Sequence, residues 1–89
     1  MSYRDILTIT PLSLLWYRDN EGDIIVQHFY TKRKIVLEEE RNRLFWSLIS
    51  EYSDMDIISE EFLKSFTEED LENTIKLFYK LGIIKIYKK

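Results

Sequence analysis

At Leu37 the hydrophobic period of the chain changes from about two to about 3.6, so one fold must join short strands to amphipathic helices. Upstream, Leu12 to Tyr17 is apolar and aromatic, and Asp19-Asn20-Glu21-Gly22 is turn chemistry. Ile24-Ile25-Val26 is β-branched and runs on to Phe29 and Tyr30. A polar turn at about Thr31 to Arg33 then leads into Ile35-Val36-Leu37. Three short runs joined by tight turns predict an antiparallel meander. Ile6 to Thr10, ahead of Pro11, reads either as a further edge strand or as an arm.

Downstream, Glu38-Glu39-Glu40 places carboxylates where a helix N-terminus favours negative charge. Phe45, Leu48, Ile49 and Tyr52 share one face, flanked by Leu44 and Trp46. Ser53-Asp54 ends this helix or caps a second, whose stripe is Ile58, Phe62 and Phe66 with Leu63 beside it. Thr67 and Asp70 form a variant capping box that opens a third helix, from about Glu68 to Leu81. Gly82 ends it as a C′ glycine, and Ile83 to Tyr87 reads as a short strand. The expected fold is α+β: a winged helix-turn-helix with an N-terminal three-stranded antiparallel sheet followed by three helices. Eighty-nine residues hold one domain, 1–89, with its core at about 12–87.

Composition removes several function classes. At 45% hydrophobic and 15% aromatic, the chain is rich enough to fold and too apolar for a disordered tail. It has no cysteine, which excludes disulfides and thiolate chemistry, and its single histidine rules out a His-rich metal site. No apolar run is long enough to span a bilayer. Met1-Ser2-Tyr3-Arg4-Asp5 lacks the features of a signal peptide, so a cytoplasmic location without membrane contact is expected. His28 has no serine–aspartate pattern near it, and GxGxxG, P-loop and HExxH motifs are absent. The expectation is a non-catalytic domain with no cofactor and no bound metal.

Charge is unevenly distributed. Between Glu51 and Glu72 stand nine acids and one base, whereas five lysines and no acid follow from Asn73 onward. Lys32-Arg33-Lys34 is a second basic cluster. These runs fit solvated faces on amphipathic elements first; the sharper reading is that the chain offers a polyanion only short basic ridges and steers it away elsewhere. Duplex DNA fits them poorly, because a recognition helix leading with Glu68, Glu69, Asp70 and Glu72 would face the phosphates. In the third helix, Leu71, Ile75 and Phe78 make a core stripe, with Leu77 and Leu81 to one side and Tyr79 to the other. The apolar arc spans roughly 200°, wider than a single core contact needs. Either neighbouring elements cover both flanks, or a groove beside this helix receives an apolar segment.

Ile35-Val36-Leu37-Glu38 leading into Leu44-Phe45-Trp46-Ser47-Leu48, with Phe78-Tyr79-Lys80-Leu81-Gly82-Ile83-Ile84 at the end of the third helix, resembles the PqqD-like RiPP recognition element. The likeness runs from about Leu14 to Ile84 and rests on hydrophobic spacing and one glycine. Two positions depart from the family pattern: Glu38 replaces an asparagine, and Ser50-Glu51 replaces Asp-Gly. The resemblance implies a small winged-helix peptide chaperone that binds the leader region of a ribosomally made precursor peptide. The leader would add as a strand to the third strand and pack on the third helix, a β-augmentation.

On this sequence, the resemblance assigns the strand edge to Lys34, Ile35, Val36 and Leu37. It assigns the helix side to Thr74, Leu77 and Leu81, with Tyr79 as the alternative flank. Lys32, Arg33, Lys76 and Lys80 would attract an acidic leader. The implied partners are the precursor and a peptide-modifying enzyme such as a radical-SAM enzyme, cyclodehydratase or protease, with no nucleic acid expected. An open strand edge allows a monomer or an edge-paired dimer. The competing reading is a winged-helix DNA-binding transcriptional regulator, and behind it a winged-helix interaction domain of another pathway.

Overall fold

A computed structural model describes residues 2–12, 15–28 and 31–89 of the chain. The expected meander is present as β2 (Leu15–Arg18), β3 (Ile24–Gln27) and β4 (Lys34–Leu37), hydrogen-bonded in the order β2-β3-β4. The β2–β3 turn is built by Asp19, whose Oδ1 accepts from the backbone N–H groups of Glu21 and Asp23, each at 2.9 Å. Gly22 there takes φ 87, a left-handed conformation open to glycine at little cost. Ser13, Leu14, Phe29 and Tyr30, which the sequence reading placed in or beside strands, lie outside the described residues.

Register sets the two faces of this sheet. Trp16, Val26 and Ile35 stand in one cross-strand row, and Arg18, Ile24 and Leu37 in the next. Ile24, Val26 and Leu37 are buried, so these rows face the core. The intervening row, Tyr17, Ile25 and Val36, points the other way. There Tyr17 and Val36 are exposed, as is Leu15.

The segment read as an edge strand or an arm is a strand. β1 (Ile6–Pro11) pairs antiparallel with β5 (Ile84–Lys88), bringing Ile9 opposite Ile86 and Pro11 opposite Ile84. The fold is therefore α+β with three helices and, among the described residues, two sheets rather than one. The core also starts earlier than residue 12, because Tyr3, Ile6 and Ile9 are all buried in it. A 3₁₀ turn at Tyr3–Asp5 holds Tyr3 against the C-terminal helix. The Tyr3 N–H donates to Glu72 at 2.7 Å, and its hydroxyl donates to Glu68 at 2.9 Å.

Three helices follow β4: α1 (Glu40–Glu51), α2 (Met55–Phe62) and α3 (Glu68–Leu81). Asp54 caps α2 by accepting from the Asp56 N–H at 2.8 Å, which resolves its role in favour of the second helix. Both bonds of the Thr67–Asp70 capping box form, and Gly82 closes α3 at φ 73. Aromatic edges lock the helices together: Phe45 meets Phe62 at 5.9 Å and Phe78 at 5.2 Å between ring centroids. Trp46 is central rather than flanking. It is fully buried, with Trp16 of β2 at 6.3 Å and Phe78 at 6.2 Å, so it joins the three-stranded sheet to α3. Phe66 lies beyond the end of α2 but still packs on Phe62 at 5.1 Å.

Candidate functional site

β4 is an edge strand, and its ladder defines which groups it leaves open. The His28 N–H donates to the Arg33 carbonyl at 2.9 Å, so His28 and Arg33 form a hydrogen-bonded pair. Such pairs alternate along an antiparallel ladder. With Val26 opposite Ile35 and Ile24 opposite Leu37, the backbone groups of Ile35 and Leu37 face β3. Those of Lys34 and Val36 face away from it, along the open edge. The Val36 side chain is 47% exposed, Lys34 is exposed, Ile35 is half-buried and Leu37 is buried. At the head of the strand, Lys32 adopts φ 59, and its N–H donates to the His28 carbonyl at 3.0 Å. Lys32 and Arg33 are both exposed at the start of β4.

The two flanks of α3 have different neighbours. At roughly 100° per residue, Asp70, Leu77 and Leu81 share one flank, and Glu68, Glu72 and Tyr79 share the other. Glu68 and Glu72 are engaged by Tyr3, so the Tyr79 flank lies on the side of the N-terminal turn. Asp70 is engaged by Arg41 in the first turn of α1, two residues past the Glu38-Glu39 link from β4. The Arg41 Nη1 lies 3.4 Å from Asp70 Oδ1, and its Nε lies 3.3 Å from Glu39 Oε2. Leu77 and Leu81 thus share the flank whose first turn meets the start of α1. Leu77, Leu81 and Ile35 are all half-buried against the common core.

Four expected site residues, Thr74, Tyr79, Lys76 and Lys80, lie off the Leu77–Leu81 flank. Thr74 is fully buried, and its hydroxyl donates to the Asp70 carbonyl at 2.7 Å, so it belongs to the core side of α3 and lines no open surface. Tyr79 is 61% exposed but faces the N-terminal turn side. Lys76 and Lys80 are exposed on the solvent face of α3, away from the Leu77 flank. Arg41 is the residue that sequence reasoning passed over. Its position one helical turn from Leu44 and Phe45 is visible in the sequence, but its partner twenty-nine residues away is not.

Electrostatics at the site centre on Asp70. Its carboxyl is held below the ordinary value of 3.8, first by the Thr67 backbone N–H, then by the Thr67 side chain, with Arg41 adding to the effect. A separate group of carboxylates, Asp19, Glu21 and Asp23, gathers within 4.8 Å in the β2–β3 turn. Asp19 is committed to two backbone N–H groups there, and Asp23 to Arg43 at 3.1 Å, so the turn itself accounts for the cluster. His28, the single histidine, is half-buried beside the β3–β4 turn, and its Nδ1 is buried without a hydrogen-bond partner. Among the described residues no helix is long and apolar enough to cross a membrane.

Comparison with protein-family models, with curated proteins and with solved structures finds no match for this chain.

Proposed function

We propose that this chain is a non-catalytic peptide-binding domain of winged helix-turn-helix type, similar to the PqqD-like RiPP recognition element. It binds the leader region of a ribosomally made precursor as an added strand on β4 and presents it to a modifying enzyme. The observation that carries this reading is a coincidence of position. β4 is an open edge, and the helix that follows it is tied by Arg41 to Asp70, which stands on the same flank of α3 as the half-buried Leu77 and Leu81. An extended peptide needs both features: backbone groups to continue a ladder and apolar surface for its alternate side chains.

The Leu77–Leu81 flank is the favoured one, because the Tyr79 flank faces the N-terminal turn. Lys32, Arg33 and Lys34 stand at one end of the edge, where they draw in an acidic leader and speed its encounter. The first turn of α3 carries Glu68, Glu69 and Asp70, which would repel phosphates and weighs against the DNA-binding alternative.

The test is fluorescence anisotropy with labelled peptides selected on this domain from a random display library, alongside a labelled DNA duplex. The reading expects saturable peptide binding that Val36→Pro abolishes, and no duplex binding near physiological salt. Peptides indifferent to Val36→Pro, or tight duplex binding that falls steeply with salt, would overturn it.

A further inference from the structure

The charges around the β4 edge are self-complementary. Reading Lys32-Arg33-Lys34-Ile35-Val36-Leu37-Glu38-Glu39-Glu40, three bases precede and three acids follow an apolar centre. Among the described residues, the side chains of Arg33, Lys34, Glu38 and Glu40 form no ion pair within one copy. Glu39 is shared with Arg41.

We propose that the edge also recognises a second copy of this chain, the two β4 strands pairing antiparallel about a two-fold axis through Val36. This goes beyond peptide binding and rests only on the open edge and its charges. A two-fold antiparallel pair must match outward-facing residues with each other, which leaves Lys34, Val36 and Glu38 as the ladder positions. With Val36 on the axis, Lys34 falls opposite the partner's Glu38, and Arg33 opposite the partner's Glu39. Sliding one allowed step either way sets Val36 against the partner's Lys34 or the partner's Glu38, so the charges select a single register. The Glu38 carbonyl already accepts from the Arg43 guanidinium, and its second lone pair serves the ladder.

Pairing would join two three-stranded sheets into one and carry the outer row of Tyr17, Ile25 and Val36 across the axis. A four-residue edge buries much less than a standard interface, so the association is weak and sensitive to salt. It occupies the same backbone groups as an added peptide strand, which makes self-pairing and peptide binding mutually exclusive. The charged residues at the two ends of the edge thus disfavour out-of-register pairing between copies.

Sedimentation velocity of the full chain, followed as concentration rises into the millimolar range, tests this directly. The wild-type chain should dimerise. Lys34→Glu and Glu38→Lys, both at exposed positions, should each weaken dimerisation by on the order of tenfold, since each places two like-charge pairs across the axis. An equimolar mixture of the two variants should dimerise again, and so should the doubly swapped chain. A wild-type chain that stays monomeric, single variants that associate as well as wild type, or a mixture that fails to recover would each overturn the proposal. Peptide affinity of the monomeric variants at low concentration is a separate readout, so failure here is distinguishable from failure of the peptide reading.

Discussion

Arg41 in the first turn of α1 lies 3.4 Å from Asp70 in the first turn of α3, so the helix that follows β4 is tied to the helix that would face an added strand. Asp70 carries three roles at once. It accepts from the Thr67 N–H at 3.2 Å, donates its own N–H to the Thr67 hydroxyl at 3.1 Å, and pairs with Arg41.

That convergence gives the fold an acid-side signature. Because the Asp70 carboxyl is held below 3.8, chiefly by the Thr67 backbone N–H, its stabilising effect is present above that value. It is lost as pH falls through the depressed value. Amide protection factors at the start of α3, corrected for intrinsic exchange, should therefore fall on acidification below 3.8, and Asp70→Asn should flatten this dependence. An unchanged acid profile in Asp70→Asn would contradict the assignment. Thr67→Ala should cost about 1 kcal/mol in a denaturant titration at neutral pH, through loss of the cap.

Proline distinguishes the two edges of β4. Val36 directs its N–H away from β3, so Val36→Pro removes no bond of the existing sheet and should leave the helical circular dichroism intact. Ile35 directs its N–H toward β3, so Ile35→Pro removes a ladder bond and should destabilise the domain. Equal damage from both would mean that the ladder parity derived from His28 and Arg33 is wrong.

Leu77 and Phe78 are neighbours with different roles. Phe78 is fully buried between Phe45 and Trp46, and Phe78→Ala should cost about 3–5 kcal/mol of stability in a denaturant titration. Leu77 is half-buried, so Leu77→Ala should cost well under that range. In a peptide titration it should lower affinity by on the order of tenfold, about 1.4 kcal/mol. Leu77→Ala with unchanged peptide affinity would remove this flank from the site.

Gly82 tests backbone conformation in isolation. At φ 73 it sits where side chains are disfavoured, yet an added Cβ would meet no atom within 4 Å. Gly82→Ala should therefore cost about 1 kcal/mol by conformation alone, seen as a lower melting temperature with peptide binding preserved.

Local chemistry made parts of this fold legible in the sequence. The bounds of α3 follow from Thr67 and Gly82, which act through bonds within a few residues of themselves. The strands around Asp19–Gly22 are marked by their own turn residues. Pairing between β1 and β5 was not legible, because it depends on contacts such as Ile9 with Ile86, far apart in sequence and carrying no turn signal between them. Helical spacing sets Trp46 on a flank because it counts only the helix itself, whereas Trp16 from the sheet packs against that flank. The resemblance assigns Thr74 to the groove with Leu77 and Leu81, but its side chain is buried and its hydroxyl is satisfied by the Asp70 carbonyl within the helix. For the proposed site, the resemblance names β4 and leaves both flanks of α3 open, Leu77–Leu81 and Tyr79. Arg41–Asp70 on one side and Tyr3–Glu72 on the other are long-range contacts, and they support the Leu77–Leu81 flank as the proposed one.

Hydrogen exchange at the Val36 amide tests the central claim most directly. In dilute protein without peptide, this amide faces the open edge and should exchange rapidly, while the Ile35 amide is protected by β3. Adding a peptide selected on this domain should slow exchange at Val36 and leave Ile35 protected as before, the signature of a strand added to β4. Rapid exchange at Val36 with the peptide fully bound would place the binding site elsewhere and contradict the account.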